Sequence, residues 1–153
     1  MGFSLFDRLT DEHPKLTAEV YVSEWEQARL FKDSVSRDLT SLLNVRRKDL
    51  HIDPAYEQTK ASVLNYGVPD FMSLKLSNSA DRERIRVGLE LAIRQFEPRL
   101  ARVSVALDLG NSVHPILRFR VSAMLRTDPI EPVEFDAVLS GDSRQFKVTG
   151  GSR

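Results

Sequence analysis

Residues 81–107 read DRERIRVGLELAIRQFEPRLARVSVAL, and the spacing of the apolar residues changes within that stretch. Ile85, Leu89, Ala92, Ile93 and Phe96 recur at steps of three and four, with Arg82, Glu83, Arg86, Glu90 and Arg94 mainly between them. One stripe of a helix is therefore apolar and the rest is solvated. Pro98 disfavours helical geometry in the residue before it, so the helix is expected to stop near Phe96 or Glu97. From Arg102 the pattern alternates, with Val103, Val105 and Leu107 against Arg102, Ser104 and Ala106, which is the period of a strand. A helix with one apolar stripe followed directly by a half-apolar strand requires a sheet for the helix to cover.

The Glu97-Pro98-Arg99 junction breaks a local rule. Unpaired carbonyls at a helix C-terminus carry partial negative charge, so a carboxylate at Glu97 is unfavourable by roughly 0.3–1 kcal/mol. Running the strand alternation back from Val103 puts Arg99 on the apolar side, where a guanidinium needs a carboxylate or several carbonyls. The alternative is a solvated Glu97–Arg99 pair worth about 0–1 kcal/mol.

Working outward, residues 23–44 form a second amphipathic pattern through Trp25, Ala28, Phe31, Val35, Leu39 and Leu42. Ser23 is its N-cap and Glu26 completes a capping box. Arg46, Arg47 and Lys48 then fall where cations complement a helix dipole. Asp53-Pro54 opens a short helix, and residues 62–71 (SVLNYGVPDF) read as a packed loop punctuated by Gly67 and Pro69. Asn78 and its serine neighbours offer caps for the central helix. After Gly110-Asn111-Ser112, alternation at Leu117–Leu125 and Val133–Ala137 gives two more strands, with Arg118 and Arg120 facing Glu134 and Asp136 across an antiparallel register. Gly141-Asp142 turns the chain into Arg144–Val148. The expected class is α+β: N-terminal helices on a small antiparallel meander of three to four strands, in one domain over 23–149. Residues 1–22 are expected to dock or to stay partly flexible, and 150–153 to form a flexible tail.

The 22 basic and 22 acidic residues balance, so nothing draws the chain to nucleic acid. With no cysteine, disulfides and thiolate metal sites are excluded. His13, His51 and His114 lack metal-ligand spacing. Neither a membrane span nor a signal pattern is legible, which leads to the expectation of a soluble cytoplasmic protein without direct membrane insertion. A glycosidase-type hydrolase would need two facing carboxylates. Glu97 beside Phe96 is the best acid candidate, but Asp108, Glu90 and Asp70 are equally eligible to face it.

Phe96-Glu97-Pro98-Arg99-Leu100, between a helix and Val103-Ser104-Val105, resembles the signature of the TssE family, the type VI secretion baseplate component related to a phage-tail wedge protein. Ser4 to Leu9, Arg37 to Asn44, and Ser62 to Phe71 resemble that family's opening, first helix and S-V-L-N-Y-G-x-P-D motif, in the same order. The resemblance implies a non-enzymatic structural subunit without cofactors, in a baseplate assembled at the inner face of the envelope. Its implied partners are the wedge proteins TssF, TssG and TssK and the sheath proteins TssB and TssC. It also implies a wedge-interface role for Glu97, Pro98 and Arg99, and a sheet extended by sheath strands. The last strands, with Val133, Phe135, Arg144, Phe146 and Val148, are the expected edge for that pairing. The phage relatives' lysozyme-like label makes a peptidoglycan hydrolase the competing expectation.

Overall fold

The fold is taken from a computed structural model, which describes residue 9 and residues 23–48, 52–71, 73–75, 77–108, 118–127, 129–139 and 145–151. The expected roles of residues 1–22, of the three histidines, of the Gly110 and Gly141 turns and of Arg144 therefore lie outside the described residues, Leu9 apart. Helix α1 spans Glu24–Asn44, a short α2 spans Glu57–Lys60, a single 3-10 turn covers Val63–Asn65, and α3 spans Ser79–Phe96. Four strands follow, β1 Leu100–Asp108, β2 Arg118–Leu125, β3 Glu131–Leu139 and β4 Phe146–Gly151, paired antiparallel in the order β1-β2-β3-β4. The α+β meander is as expected. β4 reaches Gly151 and so takes in the first two residues of the expected tail, Gly150 and Gly151.

The helices form where their caps and stripes place them. Ser23 Oγ accepts from the Glu26 amide and Asn78 Oδ1 from the Ala80 amide, each satisfying a donor that a helix start leaves open. Phe31, Val35, Leu39, Leu42 and Leu43 of α1 meet Ile85, Leu89, Ala92 and Ile93 of α3 over the inner face of the sheet, where Val103, Val105, Phe119, Val121, Phe135 and Ala137 are buried. Trp25 departs from its expected place in that core and is 73% exposed. A 21-residue helix is about 31 Å long and a six-residue strand about 20 Å, so the first turns of α1 overhang the strand they follow.

Three other expectations change. Arg46 and Arg47 do not serve the last turn of α1, which contains no basic residue. Arg46 instead forms a parallel bridge with Val68, held by Arg47 N–H to Val68 C=O and Val68 N–H to Val45 C=O, each 2.8 Å. Asp53 caps a turn at Ala55, and α2 starts only at Glu57. On the outer face, Arg120 opposes Asp136 at 3.2 Å as expected, but Glu134 stands opposite Ser122, and Arg118 lies between Asp108 and Val138.

The 62–71 segment is a strap joining the two long helices. Ser62 Oγ accepts from the Leu64 amide, and Asn65 Nδ2 donates to the Lys60 carbonyl. Pro69 and Phe71 lie against Gly88 of α3. At Gly67 the chain takes φ +112°, and an added Cβ would sit 2.4 Å from the Val45 carbonyl oxygen. Gly67→Ala is expected to lower the unfolding free energy by about 1–3 kcal/mol, since it combines a strained φ with that collision. Gly150→Ala is the control, because a Cβ there meets only Phe135 at 3.9 Å. Urea denaturation of both variants checks the contrast.

Candidate functional site

α3 ends at Phe96 because Pro98 cannot continue it, and Glu97 becomes the C-cap with φ −120° and ψ 78°. Its amide still donates to the Ile93 carbonyl at 2.9 Å, and its own carbonyl accepts from the Leu100 amide at 3.2 Å, so the chain turns within three residues. The Arg126 amide donates to the Arg99 carbonyl at 2.9 Å, which ties the corner to the residue after β2.

Inside the corner, one guanidinium gathers two carboxylates from separate elements. Arg99 Nε donates to Glu97 Oε1 at 2.6 Å and Nη2 donates to Glu97 Oε2, a bidentate pair, while the Arg99 amide also reaches Oε1 at 3.2 Å. Nη2 donates as well to Asp38 Oδ2 of α1 at 2.7 Å, and Nη1 to Ser34 Oγ at 3.0 Å. The Phe31 ring lies 5.8 Å from the guanidinium carbon, within cation–π range. Glu97 is 3% exposed, and the Arg99 side chain 14%. Burial opposes the charge on Arg99, but its hydrogen bonds to Glu97 and Asp38 and their negative charges outweigh that and hold its pKa above the ordinary value. Tyr66, from the strap, stands edge-on to Phe96 at 5.2 Å. Burial first, and then the charges of Asp38 and Glu97, raise its phenol pKa.

Arg99 is thus turned inward and paired with a carboxylate, though not by the expected route. Simple alternation does not run back through the start of β1. Arg102 and Val103 together oppose Ala123, with Arg102 at φ +51°, a β-bulge that lets both Leu100 and Val103 face the core. Arg99 precedes the strand, in the turn. Ser34 and Asp38 escaped the sequence reading. Their one usable signal was a serine and an aspartate one helical turn apart beside an apolar stripe.

The triplet is therefore mostly internal. Of Glu97, Pro98 and Arg99, Pro98 is the exposed member. Both Glu97 oxygens are engaged by Arg99, and the groove beside α1 is lined by Trp25, Ala28, Arg29, Lys32, Asp33, Glu131, Val133 and Gly150, not by Glu97. The second carboxylate at the corner, Asp38, accepts from the same Arg99 Nη2 as Glu97, so the two are held together by a guanidinium, and neither lines that groove. Among the described residues, no group of three or more His, Asp or Glu is placed to hold a metal, and no helix is long and apolar enough to cross a membrane.

The residues expected to form a pairing edge are divided. Val133 and Phe135 lie on β3, which stands between β2 and β4 and is not an edge strand; its pairing with β4 runs from Glu134 to Leu139. Phe146 and Val148 do lie on an edge strand, β4.

The fold is thus two layers, helices over an antiparallel meander, with a charge cluster of Glu97, Arg99 and Asp38 at the helix-to-strand corner. Comparison with known families matches residues 29–130 to the family described as baseplate wedge protein gp25, and the chain belongs to that family. Comparison with curated proteins finds no match.

The corner makes a quantitative prediction. Glu97→Ala leaves a nearly buried guanidinium short of its main partner and is expected to cost about 3–5 kcal/mol in urea denaturation. Glu97→Leu and Arg99→Met combined with Asp38→Asn removes all three charges of the cluster at similar volume, and is expected to recover most of that loss. A triple variant as unstable as the single one would mean that the loss comes from packing and not from an uncompensated charge.

Proposed function

We propose that this protein is a structural subunit of a type VI secretion baseplate, which joins the wedge proteins TssF, TssG and TssK to a contractile sheath of TssB and TssC and seeds its assembly in the cytoplasm. The observation that carries this reading is the extent of the family match, which includes Asp38, the 62–71 strap and the Glu97–Arg99 corner. In this reading the corner is the wedge contact. Pro98 supplies the touching surface, while Glu97 and Arg99, locked to α1 through Asp38 and Ser34, hold it in one position. A rigid contact loses little conformational entropy on binding.

Sheath subunits would add extended segments along β4, through the main chain of Phe146 and Val148. Main-chain pairing of this kind needs a preformed strand in fixed orientation, and the buried face of the sheet supplies that rigidity. The reading requires no bond-making chemistry.

Pro98→Lys tests it. This exposed substitution is expected to change stability by less than about 1 kcal/mol, yet to abolish co-purification with the wedge proteins. Unchanged co-purification would remove the corner from the interface. Turbidity of purified cell walls is expected to stay constant with the wild-type protein, and lysis that disappears in Glu97→Gln would establish the hydrolase instead.

A further inference from the structure

A sheet edge normally presents unpaired N–H and C=O groups, and on β4 they point toward α1 at every second residue. The Asn44 carboxamide accepts from the Phe146 amide at 2.7 Å and donates to the Phe146 carbonyl at 2.8 Å. It thereby supplies the pair of bonds that a residue of a neighbouring strand would make. One turn back along α1, Thr40 Oγ1 accepts from the Val148 amide at 3.3 Å, and one turn further Ser36 Oγ donates to the Val148 carbonyl at 3.1 Å. Four successive edge groups are thus taken up by three polar side chains at positions i, i+4 and i+8. These three lie beside the apolar stripe of α1, Ser36 and Thr40 half-buried and Asn44 exposed at its end.

We propose that Ser36, Thr40 and Asn44 act as a removable stand-in for a fifth strand, sealing the β4 edge of the free protein against pairing with a second copy of the chain. The seal concerns the free protein and holds whether or not a sheath segment pairs there. For such a segment to add at Phe146 and Val148, the same four bonds must open first. On the opposite edge two main-chain groups are taken up differently. Arg94 donates to the Val103 carbonyl at 2.9 Å and Glu90 accepts from the Val105 amide at 3.4 Å, both from side chains already joined in an ion pair. Only the β4 seal is made of neutral groups, and these exchange one hydrogen-bond partner for another without desolvating a charge.

The test uses the full chain carrying Ser36→Ala, Thr40→Ala and Asn44→Ala, with Gly150→Pro in the same background. Gly150 shares the outward parity of Phe146 and Val148, so a proline there blocks edge pairing and spares the β3 ladder. Light scattering after gel filtration is expected to show the triple variant, with wild-type far-UV circular dichroism, at twice the wild-type mass as concentration rises. Adding Gly150→Pro is expected to restore the wild-type mass. A folded triple variant at wild-type mass, or a doubled mass indifferent to Gly150→Pro, overturns the proposal. If the triple variant does not fold, Asn44→Ala alone is measured by hydrogen exchange. The Phe146 amide is then expected to exchange faster by about tenfold or more, and unchanged protection overturns the proposal equally.

Discussion

The largely buried guanidinium of Arg99 is the constraint on which the arrangement of this domain rests. It sits where the chain leaves α3 for β1, and its partners come from two elements, Glu97 from the end of α3 and Asp38 and Ser34 from α1. A buried charge is costly unless its surroundings are complete, so any shift of α1 against the corner leaves a donor unmet. Apolar contact between α1 and α3 tolerates small slides, because many neighbouring positions bury similar area. The directional bonds of a planar fork do not, and they fix the register of α1 on the rest of the fold.

The same logic of directional closure operates at the margins of the sheet. α1 lies along β4 and α3 along β1, and each sends polar side chains to the strand's outward main chain. The helices therefore do two things at once: their apolar stripes cover the inner face, and the adjacent flank completes hydrogen bonding at the edge. A four-stranded antiparallel sheet with uncovered edges would be open to pairing with any extended chain. Side chains of α1 and α3 take up the main-chain groups of Phe146 and Val148 on one edge and the Val103 carbonyl and Val105 amide on the other, which leaves fewer groups open to such pairing.

Much of this was legible in residues 81–107. The change from a 3.6-residue to a two-residue period at Pro98 located the helix, the strand and the corner, and the alternation after Leu117 located the meander. The strand order followed from short connections. The reading of the edge failed at Val133 and Phe135 for a physical reason: alternation reports which side chains face the core, while whether a strand is central or marginal depends on what pairs with its main chain. Trp25 was misplaced because periodicity records a stripe without recording where the opposing surface stops.

The sequence by itself determined the elements, their apolar faces and the presence of an anomalous charge pair at the corner, since these follow from local steric rules and from the spacing of hydrophobic residues. Only the tertiary structure decided that Glu97 and Arg99 turn inward, that Asp38 and Ser34 complete their surroundings, and that Ser36, Thr40 and Asn44 close β4. Those pairings join residues some 60 to more than 100 positions apart. Hydrogen bonds over such separations depend on how α1 docks, and no local pattern in the chain encodes that.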